Sequence, residues 1–235
     1  MEKPILTIIV PVYNEVRTIA TILDQVTALP ISKEIIVVEN CSEDGTREFL
    51  QKYHHPEVAV HFQERNLGKG SSVRWAIERA RGRWLVIQDA DLEYDPRDLL
   101  RLLERAVSDN LTAVFGKRIF TPEARGSLIY QWGRGLLNLL FRFLFITGTQ
   151  DVATCYKMIK TEVAQSLRLK CRGFDLDFEL ASVLRRLGHP IVELPVSYRP
   201  RSVAEGKKIR PIDGLKCLWA MVRVRITPRK WLVKI

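Results

Sequence analysis

The sequence predicts an α/β domain, a mostly parallel sheet flanked by helices, followed by a basic amphipathic C-terminal extension. Three observations predict it. Short, continuous apolar runs alternate with segments of helical period through roughly the first 115 residues, the pattern of a sheet covered on both faces. Clusters of turn-forming and polar residues follow the carboxyl ends of several runs. With 235 residues, 46% of them hydrophobic, the chain can bury a sizeable core, which excludes global disorder.

Ile5 to Val10 is an unbroken, β-branched apolar run and reads as a buried parallel strand. After Pro11-Val12-Tyr13-Asn14-Glu15 the period changes: Ile19, Ile22, Leu23, Val26 and Leu29 fall at helical spacing, and Pro30 follows the helix. Glu34 to Val38 is a second strand, trailed by the turn-rich NCSEDGT and a helix from about Thr46. Val58 to Phe62 is a third strand, and Gly68 to Ser71 turns into a helix carrying Val73, Trp75 and Ile77. Trp84 to Ile87 is a fourth strand, followed by a helix through Leu99, Leu102, Leu103 and Ala106 and a strand around Thr112 to Phe115. Ligands of such sheets bind beyond the carboxyl ends of the strands. Pro11–Glu15, Glu39–Asp44 and Gln88–Asp95 are therefore expected to line one crevice.

Beyond Gly116 the pattern differs. Leu136 to Ile146, LLNLLFRFLFI, is too short and too interrupted by Arg142 to span a bilayer. It reads equally as a core helix or as one lying on a membrane surface. The net charge of +10 is concentrated at the C-terminal end: residues 199–235 hold eleven Lys and Arg against two acids. Such a segment suggests phosphates, and the interleaved Leu218, Trp219, Met221, Val222 and Ile226 argue against a purely solvating tail. Residues 1–198 are expected to form the α/β domain and 199–235 an extension of it that contacts phosphate or membrane. The four cysteines are scattered without a C-x-x-C pair, the histidines lack zinc-ligand spacing, and no signal-peptide pattern precedes the first strand. A reduced, cytoplasmic protein peripheral to the inner membrane face is the expectation.

The densest chemistry lies in QDADLEYDP, where Asp89, Asp91, Glu93 and Asp95 crowd behind an apolar strand. Alternate residues of an extended chain share a face, so Asp89, Asp91 and Glu93 suit a hard cation, Mg²⁺ or Mn²⁺, that offsets their repulsion and bridges to a diphosphate. Asp95-Pro96 reads as the start of the next helix. Asn66-Leu67-Gly68-Lys69-Gly70 is neither a Walker loop nor GxGxxG; a phosphate contact and a plain turn are both open.

Seven segments in order and spacing, VPVYNE, VVENCSEDGT, NLGKG, QDADLEYDP, VFGKR, TCYK and EGKK, resemble the family-two nucleotide-sugar glycosyltransferases of the GT-A (Rossmann-like) fold. Within that family the chain is most similar to the polyprenyl-phosphate (dolichol-phosphate) mannosyl- and glucosyltransferases. The resemblance implies that Pro11, Tyr13 and Glu15 hold the base and ribose of the donor. Glu39 stands where the family usually has Asp and implies a nucleotide contact, and Lys69 would lie near the donor. Asp89 and Asp91 match the DxD pair that grips metal and diphosphate, with Glu93 as third ligand. Lys117 and Arg118 fall in a loop that closes over donor and acceptor, Asp151 faces the site, and Arg201, Lys207 and Lys208 contact phosphates.

An inverting, metal-dependent transfer of a hexose from a nucleoside-diphosphate sugar to a polyprenyl phosphate is thereby implied, with Asp91, Arg118, Asp151 and Asp177 as catalytic candidates. A lipid phosphate is already an anion and needs alignment rather than a base. A hydroxyl acceptor needs a carboxylate base, for which Asp175, Asp177 and Glu179 stand ready; acids near the start of a helix explain the same three residues. A non-catalytic nucleotide-sugar or nucleic-acid binding module is the remaining alternative. No RNA-binding signature is present, so a nucleic-acid partner is not expected. Oligomerisation stays open.

Overall fold

The computed structural model describes residues 3–120, 128–201 and 211–234. Seven strands form one sheet: β1 Leu6–Val12, β2 Lys33–Glu39, β3 Val58–Phe62, β4 Trp84–Ile87, β5 Ala113–Phe120, β6 Lys157–Lys160 and β7 Ile191–Tyr198. Their order is β3-β2-β1-β4-β6-β5-β7. Only β6 runs against its neighbours; it pairs antiparallel with β4 and β5, while β5 and β7 pair in parallel. Its first residue, Lys157, therefore stands on the side of the sheet where β4 ends, opposite Phe115 in the middle of β5.

Eight helices complete the described fold: α1 Ile19–Thr27, α2 Thr46–Lys52, α3 Lys69–Ile77, α4 Asp98–Ser108, α5 Leu128–Phe145, α6 Thr161–Ser166, α7 Leu176–Arg186 and α8 Pro211–Ile226. Alternation along β1 divides the core. Leu6, Ile8, Val10 and Val12 pack with α1 and α4, whereas Ile9 joins α3, α5, α7 and α8 on the other face. The apolar runs became central strands because both faces are covered.

β1 and β5 both run further than their apolar cores suggest. Val12 pairs with Glu39, so VPV belongs to the strand. β5 continues to Phe120, with Lys117 opposite Pro195 and Arg118 opposite Val196. Both basic residues were expected in a closing loop; β7 instead holds them in a strand. α5 bears out the core reading of its apolar run on one face and leaves apolar residues exposed on the other. Asn138, Phe141 and Phe145 are buried, while Trp132, Leu136, Leu139, Phe143 and Ile146 are exposed on the other side. α8 lies against α5 and α7 and gives Cys217, Ala220, Met221 and Val224 to the core. Lys207 and Lys208 lie outside the described residues.

Candidate active site

The carboxyl ends of β1, β2 and β4 open onto one crevice, as the strand order requires. Three of the five described non-glycine residues with positive φ sit in its loops: Asn14 (51°), Cys41 (62°) and Leu92 (60°). Left-handed backbone at such residues is unfavourable and persists where surrounding contacts impose it. Those contacts are present. The Asn14 amide donates to Ser42 Oγ (2.9 Å) and Glu43 N–H to Asn14 Oδ1 (2.9 Å), joining the first two loops. Asn40 binds Asn66 and Leu67 N–H, joining the second to NLGKG.

Pro11 and Tyr13 are half-buried at the end of β1. Glu39 has no exposed surface: its carboxylate accepts from the Ser42 amide (2.6 Å) and from Arg47 (2.6 Å). It braces the wall of the crevice instead of facing it. Gly68 and Gly70 have an equally structural reason. A Cβ at Gly68, whose φ is +87°, would stand 2.3 Å from the Arg172 carbonyl oxygen, and one at Gly70 2.8 Å from that of Cys171. These glycines admit the loop before α7, and only Lys69 between them reaches the site.

Lys69 Nζ lies 2.8 Å from Asp89 Oδ1 and 3.8 Å from Asp177 Oδ2. Burial disfavours its charge, yet Asp89 and Asp177 outweigh burial and hold the ammonium pKa well above the lysine range. Asp91 has a weaker counter-charge. Arg201 approaches its Oδ2 to 3.4 Å, but gives its bidentate pairing to Glu15 at 2.8 and 2.9 Å. Burial, Asp89 and Glu93 together push the Asp91 carboxyl up to about 7, against the opposing pull of Arg201. Glu93 is turned the other way: one oxygen accepts from Tyr198 O–H (2.7 Å) and the other from the Arg201 amide (2.7 Å). It ties the DxD turn to the end of β7. Among the described residues no group of three His, Cys, Asp or Glu side chains holds a metal site by itself.

Across Tyr198 lies a second basic cluster. Arg118 grips Asp151 with two side-chain hydrogen bonds of 2.7 and 2.6 Å, and its amide donates a third. Burial would raise the Asp151 carboxyl, but Arg118 holds it below the usual aspartate range. The Arg118 guanidinium also lies 4.9 Å over the Tyr198 ring. Arg134, from α5, stacks 3.8 Å over Phe120. Burial, then Arg118, lowers its pKa, while Asp151 opposes them. Arg134 lies two residues ahead of the apolar run that begins at Leu136, so the pattern of that run does not include it.

The three acids of GFDLDFE separate. Asp175 accepts from Gly173 N–H (3.0 Å) before α7, and Glu179 accepts from the Lys170 and Cys171 amides and from Arg223. Only Asp177 reaches the site, and beneath it Lys157 is fully buried, donating to Asp177 Oδ1 (2.8 Å) and to the Thr154 carbonyl. Lys157 escaped the sequence reading as a separate group. A lysine opening a short apolar strand was its one signal, because such an ammonium must find a buried partner.

Comparisons with known proteins bear on the family and the fold. The model of the family "Glycosyl transferase family 2" matches residues 7–168. Glycosyltransferase AglD of Haloferax volcanii is 30% identical over 97% of this chain, which spans only 39% of that protein. Undecaprenyl-phosphate mannosyltransferase of Micrococcus luteus is 26% identical over 88% of each. In fold, the chain is similar to glucosyl-3-phosphoglycerate synthase of Mycobacterium tuberculosis, a structure solved with Mn²⁺, UDP and glucosyl-3-phosphoglycerate. The TM-score is 0.74 at 18% identity, with 96% of this chain and 81% of that one covered. The sheet has the GT-A architecture, and the family match takes in β1 to β6 with the DxD turn: the chain belongs to glycosyl transferase family 2 and is a glycosyltransferase.

Proposed function

We propose that this glycosyltransferase moves a hexose from a nucleoside-diphosphate sugar to a polyprenyl phosphate, with inversion, at the cytoplasmic face of a membrane. The observation that carries the reading is the pair of basic clusters on either side of Tyr198: Lys69 and Arg201 at the DxD turn, Arg118 and Arg134 beyond it. Two anions meet in such a reaction, a leaving diphosphate and an attacking phosphate, and each needs its own cationic partner.

The residues present fit a divalent cation. Asp89 and Asp91 share a strand end, and the raised Asp91 carboxyl marks negative charge that the protein leaves incompletely offset. Mg²⁺ and Mn²⁺ sites commonly use one or two carboxylates and complete their shell with water and substrate phosphate. Bound there, the cation would stabilise charge developing on the leaving diphosphate. Glu93 serves the site by fixing the turn, and Arg201, held by Glu15, by placing positive charge beside Asp91.

On the acceptor side, Arg118 is fully engaged by Asp151, whereas Arg134 adds a positive charge beside that pair. A phosphate oxygen held there needs no proton removed; it attacks the anomeric carbon as the bond to the diphosphate oxygen breaks, and one displacement inverts the configuration. The lipid origin of that phosphate is supported by the outer face of α5. Trp132, Leu136, Leu139, Phe143 and Ile146 recur at spacings of three and four, and Trp219 and Trp231 are exposed too. Exposed Arg142, Lys216, Arg225, Arg229 and Lys230 accompany them, the composition of a surface that meets anionic headgroups. Among the described residues no helix is long and apolar enough to cross a membrane.

The test is a panel of UDP- and GDP-sugars with Mn²⁺ or Mg²⁺ and a polyprenyl phosphate, followed by extraction of glycolipid. Donor hydrolysis without a lipid product would reject the acceptor. The hydroxyl-acceptor reading gains nothing from Asp177, whose two oxygens already face lysines.

A further inference from the structure

Behind the DxD turn four charges alternate in sign from the interior outward: Lys157, Asp177, Lys69 and Asp89. The successive closest separations are 2.8, 3.8 and 2.8 Å. The outer pair borders the crevice. The inner end is sealed, for Lys157 has no exposed surface and its Nζ sits 5.3 Å over the Phe115 ring. Enclosing an ammonium costs several kcal/mol before its partners are counted, so its presence needs a reason beyond packing. Burial lowers the Lys157 pKa while Asp177 opposes that drop.

Consider what Lys69 must do when a nucleoside diphosphate arrives. Were Asp89 to hold a divalent cation, Lys69 would give up that carboxylate and take the donor's phosphoryl oxygens as its partner. Asp177 competes for the same ammonium from behind. An uncompensated carboxylate 3.8 Å away, largely shielded from solvent, would hold Lys69 back. With Lys157 at 2.8 Å from its other oxygen, Asp177 belongs to a near-neutral pair and its pull on Lys69 is largely cancelled.

We infer that Lys157 is a positioning residue for donor binding: by neutralising Asp177 from inside the fold, it leaves the charge of Lys69 available to the donor diphosphate. The inference rests on the proposed donor chemistry and deepens it. The antiparallel course of β6 is what makes it feasible, since a parallel strand here would begin at the far edge of the sheet.

Isothermal calorimetry of UDP–Mn²⁺ and GDP–Mn²⁺, with thermal unfolding in parallel, tests this without an acceptor. Lys157→Met is expected to weaken binding of the nucleotide that wild type prefers by about tenfold, and adding Asp177→Asn to restore it to within about threefold. KM for polyprenyl phosphate should not change in either variant. Wild-type affinity in folded Lys157→Met, or a double variant no better than the single, would overturn the inference and leave Lys157 a packing residue. Should the single variant not fold, the double variant decides: near-wild-type affinity supports the inference and a loss of tenfold or more overturns it. Absence of nucleotide binding by wild type would reject the donor reading itself, and the inference with it.

Discussion

Asp91 poses the sharpest conflict in the molecule. Its raised pKa means that the folded protein keeps a proton which the unfolded chain releases near the ordinary aspartate value of 3.8. Between that value and about 7 the folded state binds more protons, so stability of the ligand-free protein should fall as pH rises through this window and level off above it. Asp91→Asn is predicted to remove that decline and to stabilise the ligand-free protein at neutral pH by on the order of 2 kcal/mol. Urea unfolding at pH 5 and 7.5 reads this directly. The same substitution is predicted to reduce sugar transfer by at least about 100-fold, because the carboxylate's role at the diphosphate is lost. A variant at once more stable and inactive is the signature of a carboxylate retained for chemistry. Glu34 has the opposite sign. Burial raises its pKa, but hydrogen bonds from Thr7 and Arg81 bring it below the ordinary glutamate value. Its contribution is present above pH 4.5 and is lost as pH falls through the lower folded value.

Elements were legible in proportion to how completely they are enclosed. β1, β2 and β4 are continuous apolar runs because both faces are buried, and α4 shows its period because one face alone is. β6 and β7 were not read. β6 is four residues long, and its lysine ends find side-chain partners 20 and 50 residues away. β7 contains Pro195 and polar alternation, tolerable because it is the outermost strand beside β5. Among the site residues, the DxD pair could be read from local pattern and Lys69 only through the family resemblance, whereas the Arg201–Glu15 pairing joins positions 186 apart. α5 shows a further limit: its buried and exposed faces are both apolar, so no period announces which side is covered. Replacing Trp132 and Phe143 on the exposed face by Asp should weaken binding to anionic vesicles by about tenfold or more with little change in thermal midpoint. Vesicle sedimentation measures the first and calorimetry the second. By contrast, Phe141→Ala on the inner face should cost about 3–5 kcal/mol of stability, read by urea unfolding.

For the molecule as a whole, acidic charge and exposed basic and aromatic surface belong to different elements. Acids gather at the DxD turn, while much of the exposed basic and aromatic surface lies on α5, α8 and the turn after α8. Partition onto anionic vesicles is therefore predicted to fall steeply with salt, about threefold or more between 50 and 300 mM, while nucleotide binding changes less because its charges are partly enclosed. Chelation of divalent cations is predicted to abolish transfer, with activity returning on addition of Mn²⁺, and to leave vesicle partition intact.

The reversed strand has one more effect. Because β6 is wedged between β4 and β5, the aspartates that follow one and the arginine carried by the other stand two inter-strand steps apart, on the order of 10 Å. A pyranose ring with an oxygen on either side fills a gap of that order. In the proposed reaction, four residues of backbone would thus act as a ruler, keeping two mutually repelling anions a sugar's breadth from each other until the glycosyl unit changes hands.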